Sequence, residues 1–180
     1  MQDFPKWTLD LIRQNQDMKW MEEKRFEWIP LIVVAIKNIV KGYPHIVVTD
    51  KKRTWFCQYV LSHINIHSKN RPFLPFVSIE SIFYDIDNIK NIEDINLLED
   101  MLRITYGDRY SFFYIGKGND LKFQIVKRKE NSFMWVIDNH IRNSFFLESK
   151  DKDLDIKLIQ LYKIFDISIN SILFNEARLD

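Results

Sequence analysis

Between Leu154 and Ile172 the residues Leu154, Leu158, Leu161, Phe165, Ile169 and Ile172 recur every three or four positions, the period of one face of an α-helix. No other segment constrains the fold as strongly. Ile156, Ile159, Ile164 and Ile167 add apolar surface on the flanks of that stripe. A helix with so little polar circumference needs cover on more than one side. Part of that cover is expected from another subunit.

The layer beneath it is legible upstream. His45–Thr49 (His-Ile-Val-Val-Thr) is a β-branched run after a Gly-Tyr-Pro turn and reads as a buried strand. Leu74–Ile79 reads as a second strand, in which Pro75 confines pairing to the residues after it. Ser111–Ile115, Phe133–Ile137 and Ser144–Leu147 follow as further strands. Helical spacing links Phe4, Trp7, Leu11, Met18 and Met21 in one or two N-terminal segments, with Pro5 tolerated in the first turn. Leu31–Val40 reads as a helix, with Pro30 near its start and Gly42 just past its end. It is apolar on nearly every face, which predicts burial on both sides. Trp55, Phe56, Tyr59, Val60 and Ile64 form another helix, as do Ile95, Leu98, Met101, Leu102 and Thr105, ended by Gly107. Residues 80–94 read as a loop, and Leu121–Val126 fits either helix or strand.

Strands alternating with helices predict an α/β sandwich around a mainly parallel sheet. The gap from Ile137 to Ser144 is short for a parallel crossover, which normally takes about a dozen residues, so spacing leaves a hairpin open at that edge. The chain has 180 residues and shows no repeat or low-complexity linker, so 1–180 is expected to form a single domain.

Composition narrows the function. The 26 basic and 25 acidic residues nearly cancel, which removes the electrostatic warrant for direct DNA binding. Cys57 is the only cysteine, so no internal disulfide forms, and its aromatic neighbours suit a buried thiol in a reducing compartment. The N-terminus lacks a basic region followed by an apolar stretch, and the longest apolar run, Leu31–Ile36, is far short of the ~20 residues of a membrane span. A soluble cytoplasmic protein is expected.

Candidate chemical motifs are weak. Gly116-Lys117-Gly118 lacks the third glycine and the Gly-Lys-Ser/Thr ending of a phosphate loop, and an ordinary turn accounts for it. His63 and His67 stand four apart, but Asn65 and Ser68-Lys69-Asn70 suggest that the helix ends between them. Asp85-Ile86-Asp87-Asn88 lacks the glycine and closing glutamate of a calcium loop. Nothing calls for a metal, a cofactor or a catalytic group. Lys51-Lys52-Arg53, between the first strand and its helix, occupies a favoured ligand position in an open α/β sheet. These cations suit either an anion site or a solvated turn. Trp7, Trp20 and Trp28 crowd the N-terminal region, a residue type that serves both cores and partner surfaces.

Thr54-Trp55-Phe56-Cys57-Gln58-Tyr59-Val60-Leu61-Ser62, Arg71-Pro72-Phe73-Leu74, Leu158-Ile159-Gln160-Leu161-Tyr162-Lys163-Ile164-Phe165 and the ending Ser171-Ile172-Leu173-Phe174-Asn175 resemble the HobA family. HobA proteins are DnaA-binding replication-initiation factors of Helicobacter and Campylobacter relatives, similar in fold to DiaA and to sugar-isomerase (SIS) domains. The resemblance implies a three-layer αβα sandwich with a five-stranded parallel sheet, N-terminal helices and a long C-terminal helix. It places residues 133–137 and 144–147 as adjacent parallel strands. It also implies a homotetramer that docks several DnaA N-terminal domains.

The sugar-phosphate members surround phosphate with small Ser and Gly residues. Here the first loop is Asp50-Lys51-Lys52-Arg53 and the second Glu80-Ser81-Ile82-Phe83, with no glycine in either and Ser81 as the one small residue. The expected function is a non-enzymatic adaptor for the DnaA N-terminal domain at the chromosomal origin; the alternative is a phosphosugar-binding or isomerase protein using Lys51, Lys52 and Arg53. In DiaA-like members a Leu-Phe pair near the end of the last helix contributes to the DnaA surface, and Leu173-Phe174 matches it. Phe174 falls two positions after Ile172, which turns it away from the buried stripe, although both residues also suit the end of a core stripe. Glu176, Arg178 and Asp180 are expected to lead the chain out into solvent.

Overall fold

The structure, a computed structural model, describes residues 2–179. In chain order its elements are β1 (Gln2–Asp3), α1 (Phe4–Gln14), α2 (Met21–Val40), β2 (His45–Thr49), α3 (Thr54–Ile64), β3 (Phe76–Ser78), α4 (Ile79–Ile82), α5 (Ile92–Tyr106), β4 (Ser111–Lys117), α6 (Leu121–Val126), β5 (Phe133–Ile137), β6 (Phe145–Leu147), α7 (Leu154–Leu173) and β7 (Ala177–Arg178). Strands β2 to β6 form one five-stranded sheet in the order β3-β2-β4-β5-β6, with every pair parallel.

The strands read as unbroken apolar runs because both faces of the sheet are covered. Val47, Phe113, Ile115, Phe133, Trp135 and Ile137 point to the layer that contains α1, α2, α3 and α7. Their neighbours Ile46, Val48, Phe112, Tyr114, Met134 and Val136 point to α5 and α6. Trp28 of α2 is fully buried and meets Phe133, Trp135 and Phe145 with ring centroids 5.4–5.6 Å apart. Trp7 and Trp20 pack partly buried against the same core, and Trp20 Nε1 donates to Gln160 Oε1 of α7 at 2.8 Å. The N-terminal tryptophans therefore fasten α1 and α2 to the sheet and to α7.

The hairpin left open by spacing does not form. Strand β6 runs parallel to β5, with Trp135 opposite Phe145 and Ile137 opposite Leu147. A short connection suffices because β6 covers only the last three residues of β5, so the chain retraces about 10 Å. Asp138 (φ 67°) and Asn143 (φ 59°) adopt left-handed backbone at its two ends.

Two local expectations are corrected and one open choice is decided. Helix α2 begins at Met21, and Pro30 lies inside it. The proline is exposed, on the side where water can satisfy the Phe26 carbonyl left without a helical donor. Residues 80–94 contain α4 and the start of α5, whose N-cap Asn91 accepts the Asp94 N–H at 2.8 Å. Leu121–Val126 is a helix, capped by Asp120 on the Lys122 N–H at 2.9 Å. Within one chain α2 buries Ile32, Ala35, Ile36 and Ile39 and leaves Phe26, Val34 and Val40 exposed.

Candidate docking surface

Helix α7 buries Leu158, Leu161, Phe165 and Ile169 and exposes Ile156 and Ile167. Its C-terminal end is fixed by a motif that leaves one aromatic outside. Phe174 donates its N–H to the Asn170 carbonyl at 2.9 Å; Asn175 takes left-handed backbone (φ 59°); Glu176 N–H then reaches the Ser171 carbonyl at 2.7 Å. Asparagine stands here where glycine commonly ends a helix in this way. Glu176 and Arg178 are exposed but do not lead the chain straight out into solvent, and Asp180 lies outside the described residues. The chain turns back, so that β7 pairs with β1 through Gln2 opposite Ala177, and Ala177 is buried.

This corner separates the two sequence-predicted partner residues. Leu173 is partly buried and packs against the core, whereas Phe174 is 51% exposed. The corner is braced from the side by Arg71. Its guanidinium donates to Asp166 Oδ1, Asn170 Oδ1 and the Ile64 carbonyl, each at 2.6 Å. Lys69 adds a second cation on Asp166 at 2.7 Å. The Asn170 backbone thus holds Phe174 while its side chain holds the 65–74 connector. Phe73, two residues beyond Arg71, is also exposed. Sequence reasoning missed Phe73 as a site candidate; an aromatic directly after Arg71-Pro72 in a connector was the available signal.

The three cations after β2 do not act together. Arg53 is buried, and its guanidinium pairs with the buried Asp50 at 2.9 Å. Asp50 also accepts the N–H of Arg53 at 3.1 Å and that of Lys117 at 3.0 Å. One carboxylate therefore ties together the loops after β2 and β4, the adjacent strands where a doubly wound fold opens its ligand crevice. Gly116 tightens the closure, since a Cβ there would stand 2.6 Å from Tyr114 Oη and 3.0 Å from the Asp50 nitrogen. Lys51 and Lys52 remain exposed, and Lys52 with Arg53 lines a cleft of about 300 Å³ that also holds Asp151, Lys152 and Asp155. In the second loop the Ser78 and Ser81 hydroxyls bond each other at 2.7 Å, and Glu80 pairs with Lys122 at 3.2 Å.

The remaining motifs are built into the scaffold. Lys117 pairs with Asp138 at 3.2 Å. His63 stacks on Tyr59 with centroids 4.1 Å apart, and His67 lies in a separate turn beyond the end of α3. Asp87 pairs with Lys122 at 3.0 Å. Burial pushes the Cys57 thiol up to about 12, far from the range of a reactive thiolate. Among the described residues, no group of three or more His, Cys, Asp or Glu side chains is placed to hold a metal ion. Among the same residues, no helix is long and apolar enough to cross a membrane.

Fold and geometry thus define a doubly wound parallel α/β protein whose usual crevice is laced shut and whose last helix ends in an exposed aromatic. The family model of HobA, a DNA replication regulator, matches residues 1–179. The DNA replication regulator protein HobA of Helicobacter pylori (strain ATCC 700392 / 26695) is 31% identical over 187 residues, covering 99% of this chain and 100% of the relative. The chain belongs to the HobA family of DNA replication regulators. The crystal structure of a HobA–DnaA (domain I-II) complex from Helicobacter pylori is similar with a TM-score of 0.75 and 29% identity, over 99% of each chain. The crystal structure of HobA from the same organism gives 0.77 and 28%, again over 99% of each.

Proposed function

We propose that this chain is a non-enzymatic cytoplasmic adaptor that binds the N-terminal domain of DnaA and promotes DnaA assembly at the chromosomal replication origin. The observation that carries the reading is its full-length likeness to a HobA that forms a complex with DnaA domain I-II. The mechanism is multivalency. A homotetramer presenting several equivalent sites makes each later DnaA contact effectively intramolecular, so weak single-site affinity is enough. Leu173 and Phe174 form the partner-binding surface, with Phe174 as the exposed anchor and Leu173 holding the helix end in place. The Asp50–Lys117 seam supports the absence of catalysis, because it ties together the two loops between which this fold usually opens its ligand crevice.

Titration of the full chain with DnaA domain I-II from the same organism tests the reading. Saturable binding at several sites per assembly is expected; absence of binding overturns it. The alternative, a phosphosugar-binding or isomerase protein, draws on the cleft beside Lys52 and Arg53. Asp151 and Asp155 in that cleft oppose an anion, and Arg53 is already paired. Thermal-shift screening against hexose and heptose phosphates decides between the two, since only the alternative predicts stabilisation that is lost on Lys51→Ala or Lys52→Ala substitution.

A further inference from the structure

The side of the sheet covered by α5 carries a surface, set on the edge of the second core cluster, that the α7 corner does not use. Leu97, Met101 and Ile104 stand at i, i+4 and i+7 on α5, and Leu97 and Ile104 are 70% and 86% exposed. Beside them a groove of about 230 Å³ runs between α5 and the 83–89 segment, lined by Phe83, Ile89, Leu97, Leu98 and Met101. Tyr84, 95% exposed, stands next to Phe83. The groove is smaller than the roughly 300–1,000 Å³ of small-molecule pockets, so it fits side-chain anchors better than a metabolite. Its spacing is that of a surface that receives a helix.

Charge identifies the occupant. Residues 80–106 carry seven acidic side chains and two basic ones, in a chain whose totals are 25 and 26. The acidic bias is therefore local. Asp85 and Asp94 line the groove itself, and no cation lines it among the described residues. The two basic residues are Lys90 and Arg103, and Arg103 is already paired with Asp100. Nucleic acid and anionic membrane are both repelled by such a rim.

We propose that the groove along α5 docks an amphipathic helix of a protein partner that carries lysine or arginine beside its apolar face. The helix sets two or three apolar side chains against Leu97, Met101 and Phe83, while its cations meet Asp85 and Asp94. Met101 lets the groove adapt to different anchors. This surface is separate from the α7 corner and does not depend on the DnaA reading.

The test uses the full chain and two synthetic amphipathic helices that share one apolar face, one flanked by lysines and the other by glutamates. Fluorescence anisotropy should show the lysine peptide binding at least about tenfold more tightly than the glutamate peptide. Leu97→Ser with Ile104→Ser should remove that binding, and Asp85→Asn with Asp94→Asn should erase the preference. Both pairs replace exposed or partly exposed side chains, and unchanged melting would show that the fold persists. Phe174→Ala should leave peptide binding intact. Equal affinity for both peptides, or wild-type affinity in the Leu97/Ile104 variant, overturns the proposal. A change in assembly mass in that variant would instead make the stripe a subunit interface, and loss of DnaA domain I-II binding would make it the DnaA contact; either result overturns it too.

Discussion

Phe174 follows Leu173 directly, yet Leu173 packs against the core while half of Phe174 lies in solvent. The left-handed turn at Asn175 fixes this division by sending the chain back toward β1 before the aromatic ring is covered. The two substitutions should therefore separate. Phe174→Ala is expected to weaken DnaA domain I-II binding about thirtyfold, or roughly 2 kcal/mol, with melting nearly unchanged. Leu173→Ala should cost about 2 kcal/mol of stability, seen as a fall of about 4–8 °C in calorimetry. A destabilised Phe174→Ala variant would place the ring in the core.

The uncovered side of α2 marks where subunits should meet. Phe26 is 71% exposed, and Val34 and Val40 continue the same face of the helix past the exposed Pro30. Light scattering is expected to report a homotetramer for the wild type and a smaller species for Phe26→Glu combined with Val34→Glu. A stable wild-type monomer at micromolar concentration would contradict the assignment.

Asp50 should matter far more than the lysines beside it. Asp50→Ala leaves the buried Arg53 guanidinium unpaired and removes the carboxylate acceptor of the Arg53 and Lys117 N–H groups. Loss of one member of such a pair costs about 3–5 kcal/mol. Lys51→Ala and Lys52→Ala, on exposed side chains, should stay within about 0.5 kcal/mol. Urea denaturation measures all three.

Acid should loosen the start of β2. His45 is buried, its Nδ1 donates to the Tyr43 carbonyl at 2.9 Å, and its ring stacks on Phe76. Burial lowers its pKa from 6.5 to about 4, against the weaker opposing pull of backbone hydrogen bonds. The unfolded chain thus binds a proton that the folded chain refuses between these values. Stability is fully present above pH 6.5 and falls as pH drops toward 4, by about 3 kcal/mol in all. His45→Phe should flatten the stability profile in that window while Asp138, held at about 2 by the Ser149 N–H, titrates below it.

The parallel sheet was readable because buried strands are short β-branched and aromatic runs, as in His45–Thr49 and Phe133–Ile137. Pro30 misplaced the start of α2, because a proline that faces solvent inside a helix looks in sequence like one in the first turn. The 80–94 segment hid its helices because α4 has only four residues and α5 starts on a side-chain cap at Asn91. Spacing alone also could not choose between hairpin and parallel pairing for β5 and β6, because the choice depends on how little of β5 is covered. At the candidate surface, adjacency in sequence joined Leu173 to Phe174 and Arg53 to Lys52. Their division depends on partners outside each pair: Asp50, itself held by the Lys117 N–H, takes Arg53, and the β1 pairing fixes the corner beyond Phe174.

The pairing of Gln2 with Ala177 sets the first described residue one strand spacing from Ala177, two residues short of the last described one. The molecule is therefore nearly circular. A short peptide joining the two ends, with a new opening cut in an exposed loop such as that at Asn119, would preserve the order of every packed layer. By the same geometry, bulk added next to Gln2 or Ala177 would lie beside the Phe174 corner, where it would compete for the space a docked partner needs.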